Sequence, residues 1–290
     1  MPRKLIQKHK TKKPTPGSEK RLLEPVKNSH RPGLAIQRVL SAATPNLGAR
    51  GKCALTIMTK APLAGAVKTR LTPPLTAEEA AALNACFLRD MARTISQAGD
   101  GTQGIACYTP VGAERIYRPI LPPEFQLIAQ RTGQLSERLI GATEDLFSVG
   151  FASVCLINSD SPTVPASSFA EAAKILAHPG RQLVLGPTDD GGYFLIGFNR
   201  LHRKIFQGID WSTRHVLDQT LTRAANLQLE VHLLPTGYDV DDRATLCRLC
   251  QDLLRPNESG TVAPATKEFL RAIAAQEGLE RFCPDGPMAA

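Results

Sequence analysis

Seven apolar runs of strand length, at 53–58, 104–108, 125–129, 153–157, 182–185, 193–198 and 228–234, alternate with helix-period segments at 76–98, 134–149, 165–177 and 213–225. Few architectures accommodate that rhythm. Short runs without polar interruption are strands buried on both faces, and the amphipathic stretches between them are the helices that do the covering, so the pattern predicts an α/β chain with a mostly parallel sheet. The first helix is marked most clearly: Thr76 stands three residues before Glu79, a capping box, and Ala80, Leu83, Phe87, Met91 and Ile95 follow on one face. The rhythm breaks at GPTDDGGYFLIGF, where an acidic glycine turn leads into a strand with no helix between, which predicts an antiparallel strand in a mixed sheet.

Charge divides the chain. Residues 1–50 hold 12 of the 35 Lys and Arg and 2 of the 27 Asp and Glu, so the first fifty residues carry +10 and the remainder −2. The basic balance therefore belongs to an appendage, and the folded body has neither the field nor the interleaved aromatics that nucleic acid requires. Residues 1–51, rich in Lys, Arg, Pro and Ser, read as a disordered basic tail. The expected folded domain is 52–256, with a helical extension over 257–290. Within that extension Ala263 to Glu280 is amphipathic and suited to packing on the body or on a second subunit, in a monomer or a homodimer. No run approaches the roughly 20 apolar residues of a membrane span, and no signal-peptide h-region is present. Seven cysteines, odd in number and scattered through apolar runs, read as thiols of a reducing compartment, and the expected location is the cytoplasm. Cys247 and Cys250 form a lone CxxC on a helical face shared with Leu246, Leu249 and Leu253, where core packing is the expected role.

In parallel sheets ligands bind beyond the carboxyl ends of the strands, and here those positions are charged. The first run ends in KAPLAGAVKTRL, where Lys60, Lys68 and Arg70 surround Gly65, a loop suited to phosphates, though a solvated basic turn has the same composition. The fourth run ends in NSDSPTVP, placing Asp160 where a carboxylate would hold a divalent cation against a diphosphate. Asp189 and Asp190 follow QLVLG, and Asp239, Asp241 and Asp242 follow VHLLP. Asp241 or Asp242 is placed to cap the next helix, leaving Asp239 for a metal or a substrate hydroxyl. His178, His202, His215 and His232 show no metal spacing, and no serine lies in a nucleophile elbow.

The ordered set KAPLAGAVKTRL, QLSERL, NSDSPTVP, GPTDDGGYFLIG, GIDWSTRHVLDQT and YDVDD resembles a bacterial family of GT-A-like transferases in the nucleotide-diphospho-sugar transferase superfamily, whose members include glycosyltransferases linked to arsenosugar biosynthesis and to radical-SAM enzymes. The resemblance covers about residues 53–254. It implies a Rossmann-like, three-layer GT-A fold with a nucleotide bound by the N-terminal half and an acceptor by the C-terminal half. Lys60, Gly65, Lys68 and Arg70 match the family's diphosphate loop, and Asp160 matches the aspartate expected to ligate Mg2+ or Mn2+, with Asp239 or Asp241 assisting. Asp189 and Asp190 match the acidic turn, and of the two Asp190 is the better placed to activate an acceptor. Gly191, Gly192 and Tyr193, with Trp211, Ser212 and Thr213, match segments on the acceptor side. The chain departs from the pattern at Asn158, where glycine is common, at Asp242-Arg243, where Thr-Pro is usual, and in QRTGQLSERL, which has fewer glycines. The resemblance implies a metal-dependent glycosyltransferase with a nucleotide-sugar donor and a small-molecule acceptor. A nucleotidyltransferase using an NTP and a phosphorylated acceptor, or a non-catalytic nucleotide-binding protein, would use the same loop.

Overall fold

The computed structural model describes residues 37–254 and 262–283. Its strands are β1 (Cys53–Lys60), β2 (Thr102–Thr109), β3 (Gln126–Ala129), β4 (Ser153–Ile157), β5 (Gln182–Pro187), β6 (Tyr193–Phe198) and β7 (Glu230–Leu233), joined in one sheet in the order β3-β2-β1-β4-β6-β5-β7. Every pairing is parallel except those of β6, which runs against both β4 and β5. The strand anticipated from GPTDDGGYFLIGF is this reversed one. Because β5 and β6 are joined by a tight turn, residues 188–192 lie at the same edge of the sheet as the ends of β1 and β4.

The helices are α1 (Ala77–Ile95), the short α2 (Glu114–Tyr117), α3 (Leu135–Val149), α4 (Ala166–Leu176), α5 (Val216–Asn226), α6 (Arg243–Leu254) and α7 (Pro264–Glu277). Thr76 caps α1 as its spacing predicts: its hydroxyl accepts from Glu79 N at 3.1 Å and the Glu79 carboxylate accepts from Thr76 N at 2.8 Å. Leu88, Met91 and Ile95 of α1 pack with Phe169 and Leu176 of α4 on one sheet face, and Leu139, Leu146 and Val149 of α3 pack with Ala224 of α5 on the other. These are the three layers that β-strands buried on both faces require. None of the described helices is long and apolar enough to cross a membrane.

Two expectations are corrected, and one left open is decided. Residues 37–51, assigned to a disordered tail, are packed: Leu40 N donates to Leu127 O at 2.7 Å, Leu127 N donates to Arg38 O at 2.9 Å, and Leu40 and Ala49 are buried, so the segment runs along the edge of β3. A window-averaged composition hid that short apolar stretch; residues 1–36 lie outside the described residues. The helix in the C-terminal extension packs on the body, its Leu270 and Ile273 meeting Leu83 and Phe87 of α1 and Leu246 and Leu253 of α6. Asp90 of α1, 2% exposed, accepts from Ala265 N and Thr266 N at the start of α7, so the body supplies that helix's N-terminal capping. Finally, Cys247 is not a packed thiol: it forms a disulfide with Cys283, while Cys250 is buried in the core as expected and five cysteines are free.

Candidate active site

The residues after β1, β4, β5 and β7 meet in a cleft of about 680 Å3. Lys60, Arg70, Asp160, Asp189, Asp190, Asp239 and Asp241 all line it, as do Tyr193, Trp211, Ser212 and Thr213. A side pocket of about 240 Å3 opens under the 60–71 loop and is lined by Lys68, Thr69, Asn84, Ser159, Asp160 and Asp241 among others. Gly65 and Gly191 line neither. Gly65 has φ +72 and a turn role, and Gly191, at φ +87, lies so close to the Arg214 carbonyl that a side chain there would collide with it.

The loop's three cations have separate fates. Lys60 is exposed at the end of β1. Lys68 has a left-handed backbone, φ 50, and a side chain only 5% exposed; its ammonium lies 2.7 Å from Asp160 Oδ1, 3.1 Å from Asp241 Oδ1 and 2.8 Å from Val240 O. Those contacts account for all the protons an ammonium carries. Arg70, 72% exposed, reaches the other oxygen of Asp241 at 2.8 Å. The geometry thus joins the basic loop directly to two of the acids, and Lys68 is not a free phosphate ligand in this arrangement.

Asp239 sits behind that group. Its Oδ1 accepts from Asn158 Nδ2 at 2.6 Å and from the Ser161 hydroxyl. Burial above all, with the negative charges of Asp160 and Asp241, pushes its carboxyl up to about 6 against the pull of those hydrogen bonds. Asp242 takes the capping role, its Oδ1 accepting from Thr245 N at 2.9 Å. Asp160 and Asp241 therefore present oxygens to one point, with Asp239 close by, a hard, all-oxygen set of the chemistry that Mg2+ and Mn2+ prefer. Among the described residues no group of three or more Asp, Glu, His or Cys is gathered to hold a metal ion; Asp160 and Asp241 match such an ion as a pair of oxygen donors, and the point they face is held by the Lys68 ammonium.

At the acidic turn, Asp190 Oδ1 accepts from Thr188 Oγ1 at 2.6 Å and from Gly192 N at 3.0 Å, which fixes the carboxylate at the cleft wall. Asp189 is held instead by Arg248 of α6, whose guanidinium also lies 3.8 Å from the Tyr238 ring centroid. On the same wall, Trp211 Nε1 donates to Ser136 Oγ at 2.7 Å and packs edge-on to Tyr193. Ser212 is left-handed, φ 63.

Sequence reasoning missed the partners. Gln130 is buried, with Nε2 donating to Thr59 O and Cys107 O and Oε1 accepting from Arg138 Nη1 at 3.3 Å, so both help form the far wall of the cleft. Arg138 lies in the QLSERL motif and Ser161 in NSDSPTVP, which were the available signals; Asn84 and Arg248 had none, because each is placed at the site only by the fold.

Residues 91–213 match a bacterial family described as uncharacterized and designated DUF2064. No curated protein matches the chain. Among solved structures, it is similar to a candidate nucleotide-diphospho-sugar transferase from Desulfovibrio desulfuricans G20, at 29% identity and TM-score 0.70 over 79% of this chain and 97% of that one. More distant is 4-diphosphocytidyl-2C-methyl-D-erythritol synthase from Anaerococcus prevotii DSM 20548, at 11% identity and TM-score 0.48, covering 72% and 100%. Rv0371c from Mycobacterium tuberculosis H37Rv, in complex with manganese, stands at 14% and 0.43, covering 68% and 97%. Taken with the strand order and the site at the carboxyl edge, the fold of this chain is a nucleotide-diphospho-sugar transferase-like α/β sandwich.

Proposed function

We propose that this chain is a glycosyltransferase of GT-A type that takes a nucleotide-diphospho-sugar donor and transfers its sugar to a hydroxyl of a small-molecule acceptor. One observation carries the reading: a single cleft joins exposed cations, Lys60 and Arg70, to a carboxylate fixed on the opposite wall, Asp190, beside the aromatic pair Tyr193 and Trp211. Sugar transfer needs these parts together. As the bond from the sugar to the diphosphate breaks, negative charge develops on the leaving oxygen, and Lys60 and Arg70 are the groups offered to it. The proton of the incoming hydroxyl goes to Asp190, whose Oδ1 is engaged by the turn while Oδ2 is left for the acceptor. Tyr193 and Trp211, set edge to face, supply an aromatic corner for a sugar or acceptor. A Mg2+ or Mn2+ ion held by Asp160 and Asp241, with Asp239 assisting, would add positive charge against the departing diphosphate. The motif set supports placing the chain with the arsenosugar-linked, GT-A-like group, and the proposed setting is the cytoplasm, in keeping with the five free thiols, where the Cys247–Cys283 disulfide would be open to reduction.

The test is product identity. A panel of nucleotide-sugars and NTPs is incubated with Mn2+ and candidate acceptors, and the nucleotides are resolved by chromatography. Acceptor-dependent release of a nucleoside diphosphate is expected, together with its loss in Asp160→Ala. Pyrophosphate release from an NTP would replace the reading with nucleotidyl transfer, and tight nucleotide binding without turnover would replace it with a binding protein.

A further inference from the structure

We propose that Lys68 is a displaceable counter-cation: its ammonium holds the place of a divalent ion between Asp160 and Asp241, and the ion's entry moves it to a second berth formed by Asn84 and Phe87 on α1. The inference rests on the proposed transferase reading only for the kind of cation involved.

The first berth is complete. Asp160 Oδ1, Asp241 Oδ1 and Val240 O surround the ammonium within 3.1 Å. An ion coordinated by the same two oxygens would sit about 2.1 Å from each, so it and the ammonium exclude one another by distance as well as by like charge. Lys68 also belongs to the loop between β1 and α1, whereas the acids come from the segments after β4 and β7, so one lysine ties three strand ends together.

The second berth is visible in Asn84. This residue is 3% exposed, it lines the small pocket together with Lys68, Asp160 and Asp241, and its buried Oδ1 has no hydrogen-bond partner among the described residues. A buried acceptor left unpaired is costly, and a donor supplied by a neighbour relieves it. Phe87 lies three residues further along α1, on the same side, and the Lys68 ammonium is already 5.6 Å from its ring centroid. An ammonium leaving the acids therefore has the Asn84 side chain in the wall of the pocket it already lines, and the Phe87 ring in the core beside that pocket. While Lys68 occupies the acids, the ion's apparent affinity is reduced by the fraction of molecules in which the site is vacant.

The experiment is a nucleotide-free Mn2+ titration, read by the electron paramagnetic resonance signal of free Mn2+, on the wild type, Lys68→Met, Asn84→Ala and the double variant. Lys68→Met is expected to bind Mn2+ about ten-fold tighter than the wild type, as the competing cation is gone. Asn84→Ala is expected to bind several-fold weaker, and that loss is expected to vanish in the Lys68→Met background, because a berth matters only when there is an ammonium to receive. Equal or weaker binding by Lys68→Met overturns the proposal, as does an Asn84→Ala effect that persists in the double variant. If Lys68→Met does not fold, Asn84→Ala decides alone: weakened binding supports the exchange and unchanged binding overturns it. Since no nucleotide is present, failure here is distinguishable from failure of the transfer reading, which is judged by nucleoside diphosphate release.

Discussion

Two adjacent carboxylates at the β5–β6 turn face the same cleft with different obligations. Asp189 is committed to Arg248, whereas Asp190 is oriented by Thr188 and the Gly192 amide. Asp190→Asn is therefore expected to lower kcat by about a hundred-fold or more with little change in KM, the size of a lost general base, and steady-state kinetics checks it. Asp189→Asn is expected to give a much smaller loss of kcat. The sequence made the aspartates visible but not this difference, which is set by an arginine 59 residues away. The same holds for Lys68: its position in a basic loop was legible, its capture by acids 92 and 173 residues further on was not, since only the folded sheet brings those strand ends together.

Helix α1 is a shared wall, with Leu88, Met91 and Ile95 on the sheet and Leu83 and Phe87 against α6 and α7. Its two-sided use explains why its apolar series is so regular. Asn84 and Asp90 are its buried polar exceptions, and Asp90→Ala is expected to destabilise the protein by about 2 kcal/mol, measured by denaturant unfolding, because two amides at the start of α7 lose a charged acceptor. At the opposite end of this contact, Arg281 clasps Glu79 and donates to Pro74 O at 2.9 Å. Burial would raise the Glu79 carboxyl, but the bonds from Arg281 and from the Thr76 amide and hydroxyl outweigh it and hold the carboxyl below its ordinary value. A lowered folded pKa contributes stability that is present above the unfolded value near 4.5 and lost as pH falls through the folded one. Arg281→Ala should thus reduce the acid sensitivity of thermal unfolding below about pH 4.5 while lowering stability at neutral pH. Strand and helix positions were legible within a few residues because burial on two faces and on one face leave different periods in the chain. The four-residue α2 was not, being too short to show any period.

Across the whole molecule, the C-terminal segment is tied back by the Cys247–Cys283 disulfide, which closes a loop of sequence separation 36. Reduction, or Cys283→Ser, is expected to cost about 3 kcal/mol of stability, read as a lower denaturant midpoint with and without reductant. Cysteine counting could not reveal the pair, since partners are chosen by proximity in the fold and an odd number invites the reading of free thiols. The reversed strand β6 has a reach beyond the sheet. Because a tight turn and the 209–215 segment, and no crossover helix, form the wall opposite the cationic loop, that wall is attached to the scaffold only through short connections. Loops of that kind exchange readily without unravelling what carries them. The chain is thus organised like a tool with a fixed grip and an interchangeable jaw: the 209–215 segment beside the Asp190 turn is where a protein engineer would graft new sequence to change what is modified, while leaving Asp190 and the handling of the donor intact.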